Sequence, residues 1–332
     1  MFEAFVRKFI SRFDATLSRH YISEEIVDNV VRRICCPGYA LKQIVWAWSR
    51  DAIQAERIKV YNAIMGLPDR DAAKFRDELA YLVSKGWAGM GMFPYAPVKE
   101  QLPVESGYDN RTGLPYVVHN GHRLYWQKWM SPQEAESVYR GYVENECILG
   151  DRYRSKTPHA YFTDSFKVEE GDVLLDVGCS EGLFALHCID LARRVYAFEA
   201  LPKWKTPLSC TFGPFAGKAK IYNKYVSDHT GGSCVRLVDV LADEPEDATY
   251  FIKMDIEGAE RVVLPSCRDF FAKRRVKLAC AAYHRVDDAE CLSSMLQEMG
   301  FSTEFSDGWM LPEINGYVYP YFRHGMIYAR NF

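Results

Sequence analysis

From residue 166 onward the chain alternates short, almost uninterrupted apolar runs with segments of helical period. The runs are 173–177, 195–199, 220–226, 250–255 and 277–283. Between most of them lie 183–192, 203–212, 259–271 and 289–299, where apolar positions recur every three or four residues. Runs apolar on both faces, separated by helices, predict parallel strands covered on both sides and joined by right-handed crossovers. Ligands of such sheets bind outside the carboxyl ends of the strands. Two final runs, 302–306 and 326–329, flank a loop with proline and glycine but no helical pattern. They predict an antiparallel pair at the sheet edge.

The first half reads differently. Phe2, Phe5, Val6, Phe9, Ile10, Phe13 and Leu17 form one stripe of an amphipathic helix. That stripe is expected to bury against the rest of the chain or a second copy in a homodimer; Arg7, Lys8 and Arg12 leave peripheral membrane contact through residues 1–20 as the other reading. Helical periodicity returns over 49–65 and 69–85. Pro94, Pro97, Pro103 and Pro115, with Gly107 and Gly113, then break any pattern over 91–115 and predict an irregular arm. Residues 116–118 and 123–126 flank Asn120-Gly121 and predict a hairpin, and Ser131-Pro132 opens a helix to about 142. The chain thus divides into a mostly helical extension with a short hairpin, 1–150, and an α/β domain, 151–332. The extension is expected to serve the acceptor or oligomerisation.

With 332 residues, 48% hydrophobic and 26% charged, the chain is long enough and apolar enough to bury a core, which excludes disordered and collagen-like classes. A net charge of −3 gives no global attraction to nucleic acid. No run of 18 apolar residues spans a membrane, and Glu3, Arg7, Lys8, Arg12 and Asp14 interrupt any signal-peptide core. The ten cysteines are scattered without a C-x-x-C, so reduced thiols in a cytoplasmic protein are expected, with no zinc site. Aromatic residues reach 14%. Trp87, Phe93, Tyr95, Tyr116, Tyr125, Trp126, Trp129, Trp309, Tyr317, Tyr319, Tyr321 and Phe322 fall outside the sheet pattern, and their convergence as a lid over the strand ends competes with plain packing.

The densest chemistry is Asp176-Val177-Gly178-Cys179-Ser180-Glu181-Gly182, at the end of the first run and just before a helix. Glycines there admit close approach of backbone and ligand, and the helix start offers unpaired N–H groups. Glu199, 23 residues after Asp176, ends the second run, where a carboxylate can accept from a ribose diol. A nicotinamide or flavin site would carry G-x-G-x-x-G and welcome a pyrophosphate. Ser180 replaces the second glycine, and Asp176 would repel an anion. The pattern favours the cationic S-adenosylmethionine over a dinucleotide.

Taken with Tyr196-Ala197-Phe198-Glu199, with Lys253-Met254-Asp255-Ile256-Glu257-Gly258-Ala259-Glu260 and with Ala282-Tyr283-His284-Arg285, this segment resembles the FkbM-type S-adenosylmethionine-dependent methyltransferases. The resemblance covers residue 166 to the C-terminus, and more weakly 153–161 with Pro158-His159-Ala160-Tyr161. One departure is Ala200-Leu201-Pro202, where the family often has proline directly after the second acid.

The resemblance implies a Rossmann-like class I methyltransferase fold with a seven-stranded, mostly parallel sheet, and methyl transfer to a hydroxyl of a sugar, glycan or secondary metabolite. It places Asp176, Gly178, Cys179 and Gly182 at the methionine and ribose end of S-adenosylmethionine and Glu199 on the ribose. Ser227 and Asp228, ending the third run, would reach the adenine. His284, with its reference pKa near neutrality, is the first candidate for the base that takes the acceptor proton, and Asp255 the second. Asp255 and Glu257 offer a weaker metal reading; in the other reading Glu260 fixes the strand-to-helix turn. Lys253 is expected to pair with a carboxylate. A nucleic-acid methyltransferase is disfavoured by three acids in that turn. A catalytically inactive interaction protein and a nicotinamide-dependent oxidoreductase are the alternatives that remain.

Overall fold

In the computed structural model the five apolar runs lie side by side in one sheet. Residues 103–150, 158–312 apart from 243 and 246, and 319–332 are described, with short pieces between 62 and 93. The chain divides into two compact units, residues 1–94 with 311–322, and residues 95–310 with 323–332. In the first, the rings of Phe75 and Phe322 pack 4.8 Å apart between centroids. The stripe at 2–17 and the helix at 49–65 lie outside the described residues, except for position 62. Of 69–85 only helical turns at 73–78 and 80 are described. The second unit holds the sheet, and residues 95–150 belong to it.

That unit opens with three antiparallel strands, β1 (Ser106–Asp109), β2 (Leu114–His119) and β3 (His122–Tyr125). The irregular arm expected as far as 115 therefore ends earlier. Asp109 is the reason: its carboxylate accepts from the Arg111 N–H at 2.9 Å and its carbonyl from the Gly113 N–H at 2.8 Å, which turns the chain back on itself. The hairpin over Asn120-Gly121 is present, with both residues at positive φ. Helix α1 (Pro132–Arg140) begins with a reciprocal cap, Ser131 and Glu134 each accepting from the other's backbone N–H. It runs on as a π-helical turn, Gly141–Glu146, and ends at Cys147 with φ 52°.

The sheet follows from β4 (Val173–Val177), whose five residues are all buried. After it come α2 (Leu183–His187), β5 (Arg194–Phe198), α3 (Lys205–Phe212) and β6 (Ala219–Tyr222). The run expected over 220–226 is broken: β7 (Tyr225–Val226) leaves the sheet and pairs with β8 (Cys234–Val235). A short helix, α4 (Leu237–Val240), leads to β9 (Thr249–Met254). The helix expected over 259–271 is split into α5 (Glu260–Ser266) and α6 (Arg268–Phe271), with Pro265 near the junction, where it removes a donor and crowds the preceding turn. Then come β10 (Arg275–Ala281), α7 (Asp288–Glu298), β11 (Ser302–Phe305) and β12 (Met326–Arg330).

The strand order is β11-β12-β10-β9-β4-β5-β6. Only β12 runs antiparallel to its neighbours, and the expected edge pair is β11 with β12. Alternate residues of β4 point to opposite faces: Leu174 packs with Phe184, Phe251 and Ala279, while Val173, Leu175 and Val177 pack with Tyr196, Tyr250 and Ile252. Both faces are core, which is why the runs read as continuous apolar stretches. From β4 the chain winds one way to β5 and β6, and later the other way to β9 and β10. The crevice at the carboxyl ends of β4 and β9 is the point where this order reverses.

The eight described cysteines are free thiols. Among the described residues no helix is long and apolar enough to cross a membrane.

Candidate cofactor-binding cleft

A cleft of about 430 Å³ opens at that reversal, a volume suited to a small organic ligand. Asp176 and Gly178 to Glu181 line it from the end of β4, Phe198 to Leu201 from β5, and Lys253, Asp255, Ile256 and Glu257 from β9. Tyr142, Glu146, Ile148 and Tyr161 form a further wall.

The turn after β4 is held open by glycine. Gly178 has φ +78°, and a Cβ there would stand 2.0 Å from the Asp255 carbonyl oxygen. Gly182 has φ +88°, and a Cβ would meet the Phe212 ring at 2.7 Å. Both positions exclude side chains on two grounds, backbone conformation and space. Under the turn, Asp176 is fully buried; its Oδ2 accepts from the Ala185 N–H at 3.1 Å, and its Oδ1 pairs with Lys253 Nζ at 3.2 Å. Lys253 also donates to the Gly178 carbonyl and stands over the Tyr161 ring, 4.8 Å from its centroid. Burial opposes its charge, but the carboxylates of Asp176 and Asp255 outweigh that and raise its pKa. The expected pairing of Lys253 with a carboxylate is thus in place, and Asp176 supports the turn from below.

Glu199 stands at the end of β5, with Oε2 accepting from the Ser180 N–H at 3.0 Å and Oε1 from the Leu201 N–H at 2.7 Å. The two contacts fix the carboxylate on the cleft wall. Ser227 and Asp228 are elsewhere: they hydrogen-bond each other at 3.1 Å, Asp228 pairs with exposed His229, and neither lines the cleft. The wall they were expected to form is made by Lys224, Tyr225 and Val226 instead; the strand leaves the sheet at Tyr222, four residues before the expected end of the run.

At the other end Asp255 is surrounded by donors. Tyr161 Oη donates to its Oδ2 at 3.0 Å, His159 Nε2 lies 3.3 Å from Oδ2, and His284 Nε2 lies 3.2 Å from Oδ1. Burial alone would raise this carboxyl, but the hydrogen bonds from His159 and His284 hold it well below the usual carboxylate range. His159 also meets Glu146 at 3.2 Å through Nδ1; burial works against its charge, and Asp255 and Glu146 carry it to about 9. Tyr283 completes the cluster, its hydroxyl 3.3 Å from His159 Nε2.

His284 differs from its expected position. Its side chain is 3% exposed and off the cleft wall, with Nε2 toward Asp255 and Nδ1 3.6 Å from Glu260. Burial opposes protonation, yet the flanking carboxylates raise its pKa. Its ring is turned away from the cleft into these carboxylates, so it is not placed to take a proton from a bound acceptor. Asp255, Glu260 and His284 do bring ligand atoms within 4.8 Å of one another. However, each ring nitrogen faces a different carboxylate, Nε2 toward Asp255 and Nδ1 toward Glu260, so one metal ion would engage one nitrogen only. Glu260 Oε1 accepts from the Ile256 N–H at 2.8 Å and so fixes the turn after β9. Glu257 is exposed and 3.7 Å from His284 Nε2.

The aromatic lid is not built from the described residues named for it in this unit. Trp126 is core, against Tyr142 and Trp204; Tyr125 donates to Asp109; Tyr116, Trp129 and Trp309 do not line the cleft. The rings that do are Tyr142, Tyr161, Phe184, Phe198, Tyr225 and Tyr283. Trp87, Tyr95 and Tyr317 lie outside the described residues, as does the side chain of Phe93, and Tyr319, Tyr321 and Phe322 fall in the other unit.

Neither a family model nor a curated protein matches this chain. Among solved structures, it is similar to the methyltransferase FkbM from Methylobacillus flagellatus KT, at 20% identity and TM-score 0.39, over 49% of this chain and 44% of that one. A putative RNA methyltransferase from Pyrococcus horikoshii is similar at 17% identity and TM-score 0.31, over 48% and 73%. The precorrin-6y C5,15-methyltransferase from Geobacter metallireducens GS-15 is similar at 14% and 0.32, over 50% and 82%. The chain spans less than half the length of the first of these. The sheet order and its one antiparallel strand make this a Rossmann-like α/β fold with a seven-stranded, mostly parallel sheet.

Proposed function

We propose that this chain is an S-adenosylmethionine-dependent methyltransferase of the FkbM type, acting on a hydroxyl of a sugar or secondary metabolite. The observation that carries the reading is the pair of carboxylates, Asp176 and Glu199, on adjacent strand ends around a turn that only glycine can make. The fit to a cation follows from charge. Asp176, Glu181, Glu199, Asp255 and Glu257 line the cleft against Lys224 and Lys253, and Lys253 is already paired with Asp176. A pyrophosphate would meet net repulsion there, so a nicotinamide cofactor fits less well.

When bound, S-adenosylmethionine supplies a methyl group on a positively charged sulfur. Glu199 is the acceptor for the ribose hydroxyls. Gly178 and Gly182 keep the turn low enough for close approach. Asp255, in reach of the cleft and held well below the usual carboxylate range by its donors, orients the incoming hydroxyl by accepting its hydrogen bond, and the proton passes to water as the oxygen attacks. His284 and His159 are positioning residues that hold Asp255 from behind, and the Tyr161 hydroxyl fixes its Oδ2. Tyr142, Glu146 and Ile148, which precede the sheet in sequence, supply a wall of the cleft; this supports an acceptor-shaping role for the chain before residue 150.

Calorimetry with S-adenosylhomocysteine tests the reading. Saturable binding that Glu199→Ala weakens is expected; no binding by the wild type, or binding indifferent to that change, would sink it.

A further inference from the structure

One polar group in the cleft has no use in the scheme above. Glu181 belongs to the turn after β4, is 4% exposed, and lines the cleft. Among the described residues its Oε2 has no hydrogen-bond partner. A buried carboxylate oxygen without a donor is costly, the more so when charged. The turn does not need this side chain: its geometry is set by Gly178, Gly182 and the Ser180 N–H bond to Glu199.

The surroundings of Glu181 say what would satisfy it. Asp176, from β4, and Lys253, from β9, are the charged groups that act on it, and they neutralise each other at 3.2 Å. Ionised Glu181 therefore leaves one uncompensated negative charge in the floor of the cleft. A ligand group that answers both needs must carry a positive charge and donate an N–H. A sulfonium carries the charge but has no hydrogen to donate, whereas a primary ammonium supplies both.

We propose that Glu181 is the binding site for the α-ammonium of the cofactor's amino-acid end. This inference rests on the methyltransferase reading and deepens it: Asp176 supports the turn from within, and the direct ionic contact to the amino acid comes from Glu181. Burial, the largest influence, pushes its carboxyl up to about 7, with its own backbone N–H and the Ser180 hydroxyl acting the other way. Ammonium binding then draws the carboxyl into its ionised form and releases a proton. Affinity accordingly rises as pH is raised toward and through about 7, and levels off above it.

The test uses two probes on the full chain, S-adenosylhomocysteine, which has the ammonium, and 5′-methylthioadenosine, which lacks the whole amino-acid end. In Glu181→Gln, S-adenosylhomocysteine is expected to bind at least about tenfold more weakly, with 5′-methylthioadenosine within about twofold of wild type. The wild type's gain in S-adenosylhomocysteine affinity from pH 6 to 7.5 is expected to vanish in the variant. Retained 5′-methylthioadenosine binding shows that the cleft is folded; if it is lost in Glu181→Gln, Glu181→Asp is measured, and unchanged discrimination between the probes there overturns the assignment. Unaltered S-adenosylhomocysteine affinity in Glu181→Gln also overturns it, and does so most pointedly if turnover falls, since Glu181 would then be a base. Failure of the wild type to bind either probe removes the cofactor reading itself and this inference with it.

Discussion

Lys253 Nζ lies 3.2 Å from Asp176 Oδ1, and both side chains are buried between the sheet and the glycine turn. An ion pair in that position is poorly compensated once one member is removed. Asp176→Ala leaves an ammonium in the core and is expected to cost about 3–5 kcal/mol in urea denaturation. Asp176→Leu combined with Lys253→Met is expected to recover most of that loss while S-adenosylhomocysteine binding stays impaired. Equal stability of the single and double variants would show that the pair is solvated.

Gly178→Ala places a methyl group on the Asp255 carbonyl at a positive φ. The expected outcome is a folded protein of lower melting temperature, or an insoluble one, without measurable S-adenosylhomocysteine binding. Wild-type affinity in this variant would mean that the two turns separate freely.

His159 supplies a pH dependence of stability. Its pKa of about 9 in the folded chain exceeds the ordinary 6.5, so its contribution is full below 6.5 and is lost as pH rises through about 9. Denaturation midpoints followed from pH 6 to 9.5 should fall more steeply for wild type than for His159→Gln. Parallel curves would show that the Glu146–His159–Asp255 chain is not ionised as drawn.

Chelation should change nothing. Because His284 bridges Asp255 and Glu260 through separate nitrogens, stability and S-adenosylhomocysteine affinity are expected to be unmoved by EDTA or by added magnesium or manganese. A shift in melting temperature on adding either ion would restore the metal reading.

The sheet was legible because strands buried on both faces carry few polar residues, so β4, β5, β9 and β10 stand out as runs. The glycine turn and Glu199 were legible for a local reason: the chemistry sits within one strand end and the turn that follows it. What escaped was set by contacts distant in sequence. Whether His284 faces the cleft depends on Glu260, whose carboxylate occupies the Nδ1 side of the ring. His159 and Tyr161 reach Asp255 from nearly a hundred residues away, and no spacing rule links them. Ser227 and Asp228 lie off the cleft lining: the apolar run continues through Val226 while the strand ends at Tyr222. The acid before the last glycine of the turn, Glu181, was visible in the sequence but has a meaning only once its oxygen is seen to lack a donor.

The contact between Gly178 and the Asp255 carbonyl would couple the two halves of the proposed reaction. On the proposed reading, the turn that would grip the methyl donor and the turn that carries Asp255 touch backbone to backbone. They must travel as a single block. A change of acceptor size cannot be absorbed by sliding one against the other, so new acceptors would be admitted by altering the opposite wall, at Tyr142, Glu146 or Ile148. Selectivity and donor grip are thus mechanically separable, and variation in one leaves the alignment of the other untouched.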